Sequence, residues 1–290
     1  MVAPHTGATP EPRLADPPEH ASRPAAAVIL LAVAAATLLS LPGGGGPEPG
    51  AVGAIGPVDP LGSGAVAGMA VLVGATVLAF VLRSPPAVHV TLLCLLAVLA
   101  HLLPAAGMHP FPLGTALAAY AFVVFARDEL RASVGWLHTG ATDSATRRVA
   151  TLVVLVASAA LIVWYLAVGP DVGELREPIL QSPMALWPVI AVFFALANAG
   201  IEELAFRGVL LEGLRSAVGD PAAVALQAVV FGVVHYAAGV PFGVSGAVLA
   251  AGLGLALGVL RLRAGGLLVV WLTHAAIDLV IFVLIVAPPA

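Results

Sequence analysis

The sequence predicts an all-α fold, a polytopic transmembrane bundle of eight or nine membrane helices, and three observations predict it. Of 290 residues, 60% are hydrophobic and only 10% charged, whereas a soluble domain carries about 25% charged residues. The mean hydropathy of +1.06 means more apolar surface than a soluble fold would hide, so lipid must be part of the solvent. Apolar runs long enough to cross a bilayer recur along nearly the whole chain. In lipid each run must be a helix, because its backbone groups find no water to bond.

In order, residues 1–24 are rich in Pro, Ala and Glu, lack apolar periodicity and read as a disordered cytoplasmic tail. The first apolar run, 25–41, has a long polar lead. The run Pro42-Gly43-Gly44-Gly45-Gly46-Pro47 behind it is no Ala-x-Ala cleavage site, so 25–41 reads as a membrane anchor, not a signal peptide. Further spans fall at 61–82, 87–106, 113–126, 150–168, 184–211, 222–240, 243–260 and 265–286. The run at 113–126 is short, which sets the count at eight or nine.

Charge orients the spans. All 12 basic residues are Arg, net charge is -4, and no basic tract suits nucleic acid. Arg13 and Arg23 precede the first span, and Arg83 follows the second. Arg127, Arg131, Arg147 and Arg148 lie between the fourth and fifth, Arg215 follows the sixth, and Arg261 and Arg263 follow the eighth. Only Arg176, among Asp171, Glu174 and Glu177, breaks the alternation. The positive-inside rule then places the N-terminus in the cytoplasm and the C-terminus outside, with Trp164, Tyr165 and Trp187 near the outer interface. Arg without Lys, with abundant Ala, Gly and Val, suggests a high-GC bacterium and its plasma membrane. The lone Cys94 reads as a packed core thiol.

The halves differ in chemistry. Residues 25–170 form a membrane-helix region of unassigned role, with His89 and His101 read as packing or helix-end residues. Residues 184–286 hold Glu202, Glu203, Arg207, Glu212, His235, His274 and Asp278. No internal repeat links the halves, unlike many transporters. Gly254 and Gly258 form a small-xxx-small pattern for close helix packing. Gln227, Ser245 and Thr273 read as interhelical hydrogen bonders, and Glu212 with Arg215 as a surface pair.

Burying a charge at the bilayer centre costs about 3 kcal/mol even on lenient scales, so the adjacent Glu202 and Glu203 call for a use. Glu203 and Arg207, four apart, meet on one helix face, while Glu202 stands about 100° around the helix. A structural ion pair with Glu202 as bystander is the plain reading of this motif alone. Phe231-Gly-Val-Val-His235 follows on the next helix. His274-Ala-Ala-Ile-Asp278 follows on the last, where the carboxylate is spaced to orient its imidazole. Counting from the turn 216–221, Glu202 and His235 both lie about 21 Å deep. His274 and Asp278 lie about 14 and 20 Å from residue 265. Four groups from three helices thus fall in one layer.

Glu-Glu-x-x-x-Arg, then Phe-x-x-x-His, then His-x-x-x-Asn/Asp on successive membrane helices resembles the CPBP family. These are the CAAX-protease and bacteriocin-processing (Abi) intramembrane metalloproteases, related to the type II CAAX prenyl endopeptidases. The resemblance covers roughly residues 185–285. It implies an endopeptidase cleaving a membrane-associated or prenylated CAAX-like protein or peptide. Glu202 would activate water, Glu203 and Arg207 would support it, and His235 would hold the water or share the base role. His274 and residue 278 would stabilise the oxyanion. Many members carry Asn where this chain has Asp278, and an ionised Asp cannot donate a hydrogen bond; Asp278 would then be protonated, orient His274 or help bind a cation.

Amide hydrolysis needs an activated water and a stabilised carbonyl oxygen. Glu202, His235 and His274 also make a two-His-one-carboxylate set suited to Zn2+ or another divalent metal, although no His-Glu-x-x-His signature is present. The sequence leaves metal-bound and glutamate-activated water both open. A proton- or ion-coupled transporter and a non-catalytic scaffold or immunity protein remain as alternatives. The expected partners are the lipid bilayer and a peptide or protein substrate in or near it.

Overall fold

In the computed structural model, residues 20–40, 63–101 and 111–287 are described. The expected N-terminal tail, apart from its last residues, and the run at 42–47 lie outside them, as does the side chain of His101. The described residues are helical, with no strand among them. The helices are α1 (Arg23–Ser40), α2 (Ser63–Val81), α3 (Pro85–His101), α4 (Phe111–Phe125), α5 (Asp128–Ala132), α6 (Ser144–Val168), α7 (Gly173–Leu180) and α8 (Trp187–Glu202). A π-helical segment, Glu203–Leu210, continues α8 directly into α9 (Leu211–Val218). Then come α10 (Asp220–Ala238), α11 (Gly243–Ala264) and α12 (Leu268–Val286).

Five of these runs are long and apolar enough to cross a membrane: Ser144–Val168, Met184–Val218, Asp220–Ala238, Gly243–Ala264 and Leu268–Val286. The apolar helices Arg23–Leu39, Ala65–Val81, Pro85–Ala100 and Phe111–Phe125 have 10–17 residues over the described chain. Seventeen residues rise about 26 Å, short of a hydrocarbon core of about 30 Å. The expected eight or nine spans are therefore five helices of bilayer length and four shorter apolar ones. Leu152, Leu155, Val163 and Leu166 on α6, at 60%, 63%, 66% and 65% exposure, turn outward. Such a face is stable only against lipid, and the chain is an integral membrane protein.

Local chemistry sets the ends of the helices. Asp143 caps α6 by accepting from the N–H groups of Ala145 and Thr146 at 2.8 and 3.0 Å, a preferred N-cap arrangement. These bonds hold its carboxyl below the usual range, the Thr146 N–H contributing most. Pro188 and Pro221 sit in the first turns of α8 and α10, where a missing N–H costs nothing. Gly169, Gly239 and Gly265 close α6, α10 and α11 in the left-handed conformation, which spares them the Cβ clash.

One core spans the two halves of the chain. Ile29, Leu72, Val90 and Tyr120 share it with Phe206, Leu211, Leu214 and Phe231. The Ala21 N–H donates to the Ser216 carbonyl at 2.9 Å, tying the entry to α1 onto the end of α9. The segment between α5 and α6 straps the turn between α11 and α12. Ala141 N–H donates to Ala264 O at 2.7 Å, and Leu267 N–H donates to His138 O at 2.9 Å.

The small-residue pattern acts between α10 and α11. A Cβ on Gly254 would stand 3.1 Å from the Ala228 Cα, and one on Gly258 would stand 3.0 Å from Val224. Ser245 accepts from the Trp164 Nε1–H of α6 at 3.0 Å, an interhelical bond. Thr273 donates instead to Val269 O of its own helix at 2.7 Å, because a Thr hydroxyl reaches the carbonyl one turn back. Among the described residues, buried Gln227 has no hydrogen-bond partner for either side-chain atom. Glu212 and Arg215 pair at 3.1 Å, but the Arg215 side chain is buried and also donates to Asp220 at 2.8 Å. The pair is an internal brace of the α9–α10 turn rather than a surface ornament.

His89 is a satisfied packing residue. Its Nδ1 is 2.6 Å from the Tyr120 hydroxyl and its Nε2 2.8 Å from Ser133 Oγ, which links α3, α4 and the end of α5. Cys94 is a free thiol packed against the main core.

Candidate active site

Glu202 and Glu203 stand where α8 passes into the π-helical segment. Such a segment widens the helical turn and re-aims the side chains on it. Both carboxylates are 1% exposed, and Arg207 is fully buried. Arg207 Nη1 donates to Glu203 Oε1 at 2.8 Å, the pairing expected from their spacing. The Arg207 guanidinium also lies over the Phe231 ring, 4.4 Å from its centroid, a cation–π contact. Phe231 meets the His235 ring at 4.2 Å and Phe206 edge-on at 4.9 Å. The aromatic of the Phe-x-x-x-His pattern is therefore the platform on which the cation and the imidazole rest.

The structure brings Glu202, Glu203, Arg207, His235, His274 and Asp278 together. His235 Nδ1 is 2.8 Å from the Phe231 carbonyl. A carbonyl only accepts, so Nδ1 carries the proton and Nε2 is left to face Glu202 Oε2 at 3.9 Å. His274 Nε2 faces the same oxygen at 3.7 Å. Two imidazoles from two helices thus converge on one carboxylate oxygen of a third.

The orientation of His274 departs from the spacing argument. Its Nδ1 is 2.7 Å from Glu203 Oε1, whereas Asp278 Oδ1 stands 3.6 Å from its Nε2. Glu203, not Asp278, orients this imidazole, because the π-helical turn points one carboxylate at both Arg207 and His274. Asp278 instead accepts from Asn198 Nδ2 at 3.0 Å. Asn198 is a site residue that the motif analysis passed over. Its signal was an amide four residues before Glu202, on the same helix face inside an apolar run.

Asn198, Glu202, His235, His274 and Asp278 line one wall of a cavity of about 760 Å³. Its other walls are apolar side chains of α6, α11 and α12, including Val156, Leu161, Leu249 and Ile281. The site therefore lies at the edge of a large greasy chamber, the setting in which a few polar groups do chemistry on a mostly apolar ligand.

A tetrahedral ion with bonds of about 2.0–2.1 Å brings its ligands within about 3.4 Å of one another. Here both Nε2 atoms stand farther than that from Glu202 Oε2, and Nδ1 of His274 is engaged by Glu203. Among the described residues, no three His, Cys, Asp or Glu side chains form a group that could hold a metal ion. The arrangement as it stands does not fit the Zn2+ reading of Glu202, His235 and His274.

Comparison with known proteins places this geometry. No curated protein and no solved structure matches the chain. Residues 184–280 match the family model described as type II CAAX prenyl endopeptidase Rce1-like. The matched segment carries every charged and imidazole group of the site and stops just past Asp278. By that match residues 184–280, a third of the chain, are similar to the type II CAAX prenyl endopeptidase Rce1-like family, a similarity that supports a CAAX-type intramembrane protease at family level.

Proposed function

We propose that the chain is an intramembrane endopeptidase in which Glu202 and His235 activate a water molecule for attack on a peptide carbonyl. The observation that carries this reading is the convergence of His235 Nε2 and His274 Nε2 on Glu202 Oε2, at 3.9 and 3.7 Å, in the wall of the apolar cavity. A water seated there donates one hydrogen to the Glu202 carboxylate and the other to the His235 Nε2 lone pair. As the water oxygen bonds to the carbonyl carbon, Glu202 takes its proton and later passes it to the leaving amine. Buried carboxylates serve this purpose well when the site excludes bulk water.

His274 supports the developing oxyanion. Glu203 holds its Nδ1–H, so when Nε2 also carries a proton that N–H is a donor aimed into the site. Arg207 anchors Glu203, and Asn198 anchors Asp278. Each reactive group is thus fixed by another. The apolar chamber suits a substrate whose scissile bond neighbours a hydrophobic or lipid-modified segment, such as a prenylated CAAX-like peptide. The four groups share one depth, which favours a hydrolytic centre over a proton relay spread across the membrane.

The test is Glu202→Gln, which keeps size and polarity but removes the base. Turnover of a prenylated peptide falls at least about 10²-fold, while the peptide still binds. A Glu202→Gln protein that cleaves at the parental rate overturns the proposal.

A further inference from the structure

A second cavity, of about 510 Å³, lies away from the site. It is framed by the entry to α1, the turn between α2 and α3, the segment after α5, and α9. Its lining is more polar than that of the first chamber. Arg83 lines it, exposed and with no ion pair among the described residues, together with Ser84, His20 and Ser22. Trp136 lines it too. That residue is 7% exposed, and its Nε1–H is buried without an acceptor among the described residues. A buried donor with no partner costs about 1–3 kcal/mol, so an acceptor supplied from outside the chain would remove a standing penalty. His89 and Ser133 also face the cavity, but they are satisfied by each other and by Tyr120.

The one carboxylate in the wall, Glu212, is engaged by Arg215 at 3.1 Å. The uncompensated charge in the lining is therefore the Arg83 guanidinium, in a cavity that also holds the donors of Ser22, Ser84 and Trp136. Arg83 closes an apolar helix and holds a left-handed backbone at φ 50°, at the level where a membrane helix meets lipid headgroups. A guanidinium with added N–H and O–H donors is the usual recognition chemistry for phosphate.

We propose that this cavity binds a phosphate group. Arg83 supplies the charge, and Trp136 Nε1–H and the neighbouring hydroxyls supply the remaining donors. The source is the headgroup of an anionic phospholipid or free phosphate. Occupancy would brace α9, since Val209 and Gly213 form part of the wall, within two turns of Arg207. This site stands apart from the proposed protease chemistry and does not depend on it.

Native mass spectrometry of the full chain in nonionic detergent tests the idea. One arm offers phosphatidylglycerol, a second inorganic phosphate, and a third uncharged diacylglycerol. The expected result is one tightly held phosphate-bearing ligand. Retention of phosphatidylglycerol alone assigns the site to a headgroup, and retention of inorganic phosphate as well assigns it to the bare anion. Arg83→Gln, at an exposed position that leaves folding intact, weakens that ligand about tenfold, the usual worth of one charge-assisted hydrogen bond. Trp136→Phe, which removes the N–H but keeps an aromatic ring, weakens it several-fold. Absence of binding in both phosphate arms, diacylglycerol held as well as phosphatidylglycerol, or parental affinity in Arg83→Gln overturns the proposal.

Discussion

Arg207→Met isolates the worth of the cation under the candidate site. Methionine keeps most of the stem volume but removes the guanidinium that donates to Glu203 at 2.8 Å and lies 4.4 Å from the Phe231 centroid. Both ion-pair partners are essentially inaccessible to solvent, so screening does not soften the loss. Removing one partner of a buried pair costs about 3–5 kcal/mol, and the cation–π contact accounts for about 0.5–2 kcal/mol of that. The damage extends to chemistry, because the same Glu203 oxygen orients His274 at 2.7 Å. The double variant Glu203→Gln/Arg207→Met leaves no orphaned charge and recovers about 2 kcal/mol or more of the loss. It stays impaired in turnover, because a neutral amide orients His274 less firmly than a carboxylate. Thermal unfolding in detergent measures the first effect and peptide cleavage the second. An Arg207→Met protein that melts within about 1 kcal/mol of the parent refutes the reasoning. So does a double variant no more stable than the single one.

Asn198→Ala removes the amide that donates to Asp278 and lowers kcat by about tenfold with little change in KM; parental kcat would show Asp278 needs no anchor. Asp278→Asn keeps a bond to Asn198 and adds a donor to the site, so it retains at least about a tenth of parental activity; complete loss would mean the carboxylate itself acts. Asp143 has a depressed pKa, so its stabilisation of α6 is present above the unfolded-state carboxylate pKa and fades as pH falls through the folded value. Asp143→Ala therefore lowers Tm near neutral pH and loses that difference in acid; a Tm gap independent of pH would contradict the capping role. Because the donor set does not form a metal site, dialysis against a strong chelator leaves turnover unchanged; activity lost on chelation and restored by zinc would place an ion at Glu202, His235 and His274.

What was legible in the sequence was the set of residues, and what was not was their pairing. Order and spacing alone put Glu202, His235, His274 and Asp278 at one depth, since a straight helix converts residue count into distance. The same arithmetic could not foresee that the backbone leaves α-helical geometry at Glu203, because a π-helical segment has no compositional mark. That departure gives Glu203 two partners, Arg207 and His274, and frees Asp278 for Asn198. Gln227 shows a further limit, since a polar residue in an apolar helix predicts a partner that the described structure does not provide.

The buried charges also explain why the two halves of the chain share one core. Three carboxylates, a guanidinium and two imidazoles packed into a few helical turns are a liability if those helices are free to separate, since each exposed or unpaired charge costs several kcal/mol in lipid. The segments that bear them are held from outside. Trp136 packs on Gly208, where an added Cβ would stand 2.7 Å from its ring, and Val90 fills the space over Gly213. Trp136 and Val90 thus press on the backbone one residue and six residues beyond Arg207. Bulk at either glycine would push the π-helical segment off the N-terminal helices and shift Glu203 relative to His274. Gly208→Val should therefore reduce turnover even though the side chain it adds never touches the cavity. A Gly208→Val protein with parental turnover would show that the N-terminal helices are a passive neighbour of the site rather than its support.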